Sequence, residues 1–281
     1  MNNIKFIERE KIVLNEAQIK MLISGWGKEV YENTIVERII YLSDNLKVKG
    51  YLAYPRDNSR KKFPCIIWNR GGYENKGAID SFTAKGMFGQ IASWGYVVFA
   101  SQYRGNAGGE GKEELGGSDV NDILNLIPLA DELEFADKEK WGMEGWSRGG
   151  MMTFLTLKQN KNFRCAVLVG AISNFKINAN KNPDIKKYYS ELIGEENLEE
   201  EINKRSAINF AEQLPKIPYL VLHGLADEDV SPLQSIELSK KFYGLNIPHR
   251  LVLFEDGDHY LKRHRKEVDA LKKMWYVKYL G

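Results

Sequence analysis

The hydrophobic and polar positions along the chain predict short buried strands that alternate with amphipathic helices. Six apolar runs are typical of strands buried on both faces, and they cover residues 64–68, 96–100, 141–144, 165–169, 219–222 and 250–254. Helical periodicity falls at about 82–94, 119–133, 149–159, 232–243 and 262–279. Because a parallel crossover needs a connecting helix, this order predicts an α/β fold whose mostly parallel sheet carries helices on both faces.

Two further elements are predicted before the first buried run. Asn15 and Gln18 have the spacing of a capping box, which predicts a short helix through about Ser24. The β-rich runs 35–42 and 48–54 flank the turn residues 43–45, a pattern typical of an antiparallel hairpin. The hairpin would add antiparallel strands at one edge of the sheet, with residues 1–33 as an N-terminal extension.

One interval breaks the alternation. Residues 173–214 are polar, rich in Asn, Lys and Glu, and helical near 185–193 and 198–204. An insertion between two core strands is a natural lid over an active site. With 281 residues, of which 43% are hydrophobic, the chain can bury a large core. We therefore expect a single domain over residues 1–281, decorated by this insertion.

The charge composition argues against two classes of binding partner. Lys and Arg number 40 against 38 for Asp and Glu, so the net charge of +2 favours neither a nucleic acid nor an anionic membrane as partner. Residues 1–11 lack the apolar stretch of a secretory signal, and no segment approaches the ~20 apolar residues of a membrane helix. These features predict a cytoplasmic protein.

The cysteines and histidines are few. Cys65 and Cys165 each lie in a strand-like run, which predicts buried thiols and no disulfide. With two cysteines and four histidines in the chain, nothing resembles a metal cluster. We expect neither a metal nor a cofactor.

The sequence Gly-Trp-Ser-Arg-Gly at residues 145–149 predicts a nucleophile. It follows a predicted strand and precedes a predicted helix, and a sharp turn there would lift the Ser147 hydroxyl clear of the sheet. Such a turn needs small residues two positions before and after the serine, and Gly145 and Gly149 meet this need. The backbone N–H of Arg148 would then face the oxyanion. The alternative is a glycine-rich turn with an incidental serine.

A serine hydroxyl needs a neighbouring base, for which histidine is suited near neutral pH. His259 lies in a polar, glycine-containing loop between the last buried run and the last helix, so it can reach over the serine. We expect structural roles for the other three. His223 ends a buried run, His249 begins one, and His264 lies in the charged start of the final helix.

The acid should follow a buried strand and precede the histidine in the chain. Asp227 and Asp229 both follow the run 219–222, and a carboxylate here would hold the imidazole by its Nδ1 proton. An Asx turn that caps the helix after Pro232 suits Asp229 or Ser231 better. We therefore favour Asp227, with Asp229 second and Asp258 third.

A second oxyanion donor is expected from the loop that follows the run 64–68. Paired glycines at 71–72 let backbone N–H groups approach a ligand, which makes Gly72 or Tyr73 the expected donor. The alternative is a turn that needs a positive φ, and the two roles are compatible.

Four sequence blocks carry a resemblance to a known family. They are Arg-Gly-Gly-Tyr (70–73), Gln-Tyr-Arg-Gly (102–105) leading to Gly-Ser-Asp-Val-Asn-Asp (117–122), Gly-Trp-Ser-Arg-Gly-Gly (145–150) and His-Gly-Leu-Ala-Asp-Glu-Asp-Val (223–230). From about residue 35 onward the chain resembles the catalytic domain of the prolyl oligopeptidase family, especially its acylaminoacyl-peptidase and dipeptidyl-peptidase branches. The resemblance implies an α/β-hydrolase fold. It also implies that the aspartate of His-Gly-x-x-Asp, here Asp227, is the triad acid.

This chain departs from the family at two points. Family peptidases usually carry a β-propeller that screens substrates by size, whereas about thirty residues precede the hairpin here. Family members also often have His or Tyr where Arg70 stands. We expect Arg70 and Trp146 to contact substrate, the guanidinium pairing with a substrate carboxylate or else with Glu74 or a nearby Asp.

The leading hypothesis is a serine hydrolase that cleaves a small ester, amide or short peptide through an acyl-enzyme. A peptidase proper of the same family is one alternative. A non-catalytic α/β-hydrolase-like binding protein is another, although such proteins typically lack a triad member. A dienelactone-hydrolase-like enzyme would carry cysteine where Ser147 stands. The sequence leaves the oligomeric state open, including a homo-oligomer whose neighbouring subunit screens the site.

Overall fold

Strands and helices alternate along the chain in the computed structural model, which describes residues 5–59, 62–181 and 183–281. The strands are β1 (Phe6–Lys11), β2 (Thr34–Ser43), β3 (Leu46–Pro55), β4 (Phe63–Asn69), β5 (Val97–Ser101), β6 (Ala136–Trp146), β7 (Cys165–Val169), β8 (Tyr219–Gly224) and β9 (His249–Phe254). The helices are α1 (Glu16–Trp26), α2 (Lys28–Glu32), α3 (Ser81–Ser93), α4 (Val120–Leu124), α5 (Arg148–Gln159), α6 (Phe175–Lys181), α7 (Pro183–Ile193), α8 (Leu198–Arg205), α9 (Ala207–Phe210), α10 (Leu233–Gly244) and α11 (Arg265–Leu280). All six predicted buried runs are strands.

The described residues fall into two compact units. The first holds residues up to Gly142 together with Leu280–Gly281, and the second holds Met143–Tyr279. Strand β6 begins in the first unit and ends in the second. The expectation of one domain over 1–281 stays a prediction, and residues 1–4 of the expected N-terminal extension lie outside the described residues.

In the first unit the strands follow the order β1-β2-β3-β5-β4. β2 and β3 form the predicted antiparallel hairpin, and Asp44 and Asn45 turn the chain with φ of 50° and 66°. Both residue types tolerate this left-handed region, as a tight hairpin turn requires. β1 pairs antiparallel with β2, and β4 pairs parallel with β5. The predicted antiparallel edge is confirmed.

In the second unit β7, β8 and β9 are parallel neighbours. Every residue of β7 and β8 is buried, which explains why these strands appear in the sequence as continuous apolar runs. Helix α5 connects β6 to β7, and α10 connects β8 to β9. The carboxyl ends of the three parallel strands therefore lie at one edge of the sheet, where loop side chains can meet.

Several elements differ from the predictions. The helix expected over 119–133 is α4 followed by a 3₁₀ turn, Ile127–Glu132, with a proline near its start. β1 was not predicted because five of its six residues are exposed. The insertion 173–214 contains α6 and α9 besides the two expected helices, α7 and α8. Along the described ranges, no helix combines the length and the apolar character that crossing a membrane requires.

The capping box at α1 is confirmed and gives a stability prediction. The Asn15 side chain accepts from the Gln18 backbone N–H at 2.9 Å, and the Gln18 side chain accepts from the Asn15 N–H at 3.0 Å. We expect Asn15→Ala to lower the free energy of unfolding by about 1 kcal/mol, because one orphan N–H loses its partner. Urea unfolding followed by circular dichroism measures this change, and an unaltered midpoint would contradict it.

Candidate active site

Ser147 occupies a sharp turn between β6 and α5. Its backbone has φ 55° and ψ −122°, in the positive-φ region that non-glycine residues rarely adopt. The Ser147 N–H donates to the Val169 carbonyl at 2.9 Å, and the Ser147 carbonyl accepts from Gly150 at 3.0 Å and from Ile172 at 3.1 Å. These bonds hold the strained turn against the end of β7. The predicted elbow is confirmed.

The glycines around Ser147 are required by close backbone packing. A Cβ on Gly145 would lie 2.3 Å from the Gly149 carbonyl oxygen and 2.4 Å from Oγ1 of Thr153. A Cβ on Gly150 would lie 2.3 Å from the Ala171 methyl group. These contacts are shorter than real side chains tolerate, so larger residues would force the elbow open.

His259 and Asp227 form a hydrogen-bonded pair. Nδ1 of His259 lies 2.7 Å from Oδ2 of Asp227, with 13% of the imidazole side chain and 0% of the carboxylate exposed. Oδ1 of Asp227 accepts from the N–H groups of Asp229, at 2.9 Å, and Val230, at 2.8 Å. Because Nδ1 faces the carboxylate, Nε2 is the ring nitrogen that remains for proton exchange.

The Asx turn after β8 is therefore made by Asp227 itself. Helix α10 follows Pro232 without a side-chain capping bond in the described chain. The alternative in which an Asx turn of Asp229 or Ser231 caps this helix is not what the structure shows, because no side chain among the described residues caps the start of α10. Asp258, the third candidate acid, accepts from the Lys262 N–H at 3.1 Å.

The surroundings of Asp227 keep it ionised. Burial raises the pKa of this carboxyl group, but hydrogen bonds from His223 and His259, the charge of His259 and the Val230 N–H lower it by more. The net pKa of Asp227 lies well below the ordinary value. An ionised carboxylate is what the orienting role requires.

Gly170 connects the serine to the acid–base pair. It follows β7, and its N–H donates to the Leu222 carbonyl of the neighbouring strand at 2.9 Å. A Cβ on Gly170 would lie 3.2 Å from Nδ1 of His259 and 3.3 Å from Oδ2 of Asp227. Since residues on either side of Gly170 bind the Ser147 backbone, one short segment contacts all three expected triad residues.

The other histidines are hydrogen-bonded, as expected. His249 contacts Ser239 Oγ at 2.7 Å and the Ile247 carbonyl at 2.9 Å. His264 contacts Asp256 at 3.0 Å. His223 is fully buried and lies 3.1 Å from the triad candidate Asp227, a contact that sequence reasoning missed. Its place in the His-Gly-x-x-Asp block is the signal that could have found this contact.

Trp146 is anchored beside the elbow. Its Nε1–H donates to Oε1 of Glu144 at 2.9 Å. The buried Glu144 also pairs with Nζ of Lys272 at 2.6 Å and accepts from the Tyr276 hydroxyl. The orientation of the indole is thus fixed from α11, and its contact with substrate stays a prediction.

Arg70 requires a correction. It lies in the first unit, its side chain is 0% exposed, and it pairs with Glu113 at 3.6 Å. Its guanidinium also donates to the carbonyls of Gln102, at 3.1 Å, and Glu74, at 2.9 Å. The expected contact with a substrate carboxylate is therefore wrong, because full burial and these acceptors commit Arg70 to holding its own loop. Its acidic partner is Glu113 rather than the Glu74 carboxylate or an aspartate.

Gly72 makes the expected turn in the same loop. Its φ is 68°, and a Cβ there would lie 2.0 Å from the Lys76 carbonyl oxygen. Tyr73 follows and accepts a backbone bond from Lys76 at 3.0 Å. The positive φ is confirmed. The oxyanion roles of Gly72, Tyr73 and Arg148 stay predictions.

Three ligand-type atoms converge at the acid–base pair. One carboxylate oxygen each of Asp227 and Asp229 and one ring nitrogen of His259 lie within 4.8 Å of one another. Both oxygens of Asp227 already accept hydrogen bonds, one of them from two imidazoles.

Comparison with known proteins decides the family. The family model described as "Prolyl oligopeptidase family" matches residues 84–281. The chain belongs to the prolyl oligopeptidase family. It is accordingly a serine hydrolase, peptidase or esterase, with an α/β-hydrolase fold, and the resemblance read from its sequence blocks is confirmed.

Individual relatives agree with this membership. The chain is 31% identical to the uncharacterized peptidase YtmA of Bacillus subtilis over 83% of this chain and 90% of that protein. The acylaminoacyl peptidase of Pyrococcus horikoshii is 25% identical with a TM-score of 0.75, over 89% of this chain but 42% of that one. The esterase Pf2001 of Pyrococcus furiosus is 15% identical and shares the fold, with a TM-score of 0.68 over 98% of both chains.

Packing at the elbow of this family member gives a testable pair of variants. We expect Gly145→Ala to abolish hydrolytic activity and lower the melting temperature, because its Cβ would clash with backbone at 2.3 Å. Gly244→Ala is the matched control, since no heavy atom lies within 4 Å of its Cβ. Differential scanning fluorimetry and an ester assay compare the two. Equal behaviour of both variants would contradict the packing argument.

The lowered pKa of Asp227 predicts a pH dependence of stability. A carboxyl group whose pKa falls on folding stabilises the fold above its unfolded value of about 3.9, and the contribution is lost as the pH falls toward the folded pKa. We expect the difference in unfolding free energy between the parent and Asp227→Asn to shrink below about pH 4. Urea titrations at several pH values measure it. A difference that does not vary with pH would refute the linkage.

Proposed function

We propose that this chain cleaves a small ester, amide or short peptide through an acyl-enzyme, with Ser147, His259 and Asp227 as its catalytic triad. The observation that carries the proposal is the bond of 2.7 Å between Nδ1 of His259 and Oδ2 of Asp227. The pair lies against Gly170, in the segment that also binds the backbone of the strained Ser147.

The reaction begins when Nε2 of His259 takes the Ser147 proton as Oγ attacks the carbonyl carbon of the substrate. Asp227 remains ionised, holds the Nδ1 proton and stabilises the imidazolium. The imidazolium then gives its proton to the leaving alcohol or amine, and the acyl group remains on Ser147. In the second half, His259 removes a proton from water as the water oxygen attacks the acyl carbon. His259 then returns that proton to Oγ of Ser147 as the bond from the acyl carbon to Oγ breaks and the acid leaves.

The oxyanion requires N–H donors. Arg148 begins α5, and the helix dipole favours negative charge at this end of the helix. Gly72 or Tyr73 would supply the second donor. The positive φ of Gly72 supports this role, because such a turn exposes neighbouring N–H groups.

The insertion 173–214 is proposed as the lid. Its start is fixed to α10, since Ser173 donates its N–H to the Gln234 side chain at 3.0 Å and its hydroxyl to the Gln234 carbonyl at 2.9 Å. Phe175 donates its N–H to Ser206 Oγ at 2.9 Å, which ties two parts of the insertion together. A lid fixed in this way would limit which acyl and leaving groups enter.

The nucleophile is tested by active-site labelling. We expect a fluorophosphonate probe to label the parent, and Ser147→Ala to lose labelling together with at least about 10³-fold in kcat on p-nitrophenyl acetate. Ser239→Ala is the matched control, since Ser239 lies 2.7 Å from a ring nitrogen of His249 and is not part of the elbow. Labelling of Ser147→Ala at the parental level would exclude the proposal.

The same assay separates esterase from peptidase. The values of kcat/KM for a panel of p-nitrophenyl esters and aminoacyl p-nitroanilides are compared on the parent protein. Preference for the anilides assigns the chain to the peptidases, and turnover of short acyl esters alone assigns it to the esterases.

A further inference from the structure

His223 contacts Asp227, the proposed triad acid, from within a buried strand. The residue lies in β8 and is 0% exposed. Its Nε2 is 3.1 Å from Oδ2 of Asp227 and 3.0 Å from the Val230 carbonyl, and its Nδ1 is 2.7 Å from Oγ of Ser235. The oxygen that His223 approaches is the one that faces His259.

These contacts fix the tautomer of His223. Nε2 faces two acceptors, a carboxylate and a carbonyl, so it carries the proton and donates. Nδ1 then accepts from the Ser235 hydroxyl, so both ring nitrogens have a hydrogen-bond partner. Ser235 lies in the first turn of α10, so the helix start determines which ring nitrogen donates to the acid.

We propose that His223 is a positioning residue of the triad, whose Nε2–H, fixed by Ser235, holds Oδ2 of Asp227 in line with His259 and draws part of its negative charge. This inference rests on the proposed function. It extends that function to a residue that contacts neither the substrate nor Ser147.

The charge on Oδ2 of Asp227 determines in which direction the pH profile should move when the His223 donor is removed. Asp227 accepts from His223, from His259 and from two backbone N–H groups, and its lowered pKa agrees with this set of donors. When the His223 donor is removed, more charge remains on Oδ2 to stabilise protonated His259. One carboxylate oxygen of Asp229 lies within 4.8 Å of a ring nitrogen of His259, and Asp229 is unchanged in the variants. Tyr260 contributes a ring edge-to-face with His259 at 5.4 Å.

The test compares His223→Leu with His223→Gln. We expect the leucine variant to lose about tenfold in plateau kcat/KM on p-nitrophenyl acetate through kcat, with KM unchanged. The acid limb of its pH–rate profile should move up by about half a pH unit. Glutamine keeps an N–H donor near the position of Nε2, so His223→Gln should recover most of the activity and most of the profile.

A control of the same chemistry lies on the next strand. His249 is also flanked by a serine hydroxyl and a backbone carbonyl but does not contact Asp227. His249→Gln should leave the acid limb in place. A fall in melting temperature for His223→Leu with an unmoved acid limb would reduce His223 to packing and overturn the proposal. If His223→Leu does not fold, Ser235→Ala decides, with a smaller upward shift expected and an unmoved limb contradicting us.

A second readout does not depend on turnover. The ring resonances of His259 are titrated by NMR in Ser147→Ala and in the double variant Ser147→Ala with His223→Leu. We expect the midpoint of the titration to rise by about half a pH unit in the double variant. Because this holds even if Ser147 is not the nucleophile, failure of the proposed function and failure of the His223 proposal give different results.

Discussion

The Asp227 carboxylate has no exposed side-chain surface, and an ionised group removed from water must be compensated by donors that reach it. Four donors do so: the N–H groups of Asp229 and Val230 on Oδ1, and the imidazoles of His223 and His259 on Oδ2. This requirement shapes the loop after β8 and fixes the loop after β9, since His259 must dock on the same oxygen. The orientation of the His259 ring therefore follows from the hydrogen bonds that the buried Asp227 carboxylate requires.

The second constraint is the strain at Ser147. A serine at φ 55° persists only where its surroundings overdetermine it. The surroundings here are a bond to Val169 at the end of β7, a bond from Ile172 just after it, and a helix turn packed onto Gly145 without room for a methyl group. Because β7, β8 and β9 are parallel neighbours, they end at one edge of the sheet. The segment that holds Ser147 therefore lies at the same edge as the loops that carry Asp227 and His259. Gly170 lies at that edge, where backbone bonds from the elbow and side chains of the acid–base pair meet.

Sequence patterns predicted what burial on both faces dictates. β7 and β8 have buried residues at every position, so their runs are uniformly apolar and their bounds were predicted closely. β1 was not predicted, because an edge strand with exposed residues has no such apolar run. The sequence pattern also did not predict that α4 ends before the 3₁₀ turn at Ile127, because helical periodicity continues through the proline. In these cases pairing and backbone chemistry, which the pattern of hydrophobic residues does not encode, decided the structure.

The site was predictable to the extent that a role follows from position in the fold. Ser147, Asp227 and His259 each follow a strand end, so chain order and loop position were sufficient to select them. The role of His223 was not predicted, since a histidine inside a buried run shows that it is buried but not which oxygen it faces. The prediction for Arg70 was wrong for the converse reason. A cation in a glycine-rich loop suggested a substrate contact, whereas the Arg70 guanidinium is buried and bonds to backbone carbonyls within the protein.

The four sequence blocks that carry the family resemblance differ in what their residues do in the structure. The blocks at 70–73, 102–105 and 117–122 bind one another within the first unit. Arg70 donates to the Gln102 carbonyl at 3.1 Å, and Arg104 pairs with the buried Asp122 at 2.8 Å. Charges paired in this way hold the loops of the first unit together. The nucleophile and the acid of the proposed triad lie in the other two blocks, at 145–150 and 223–230.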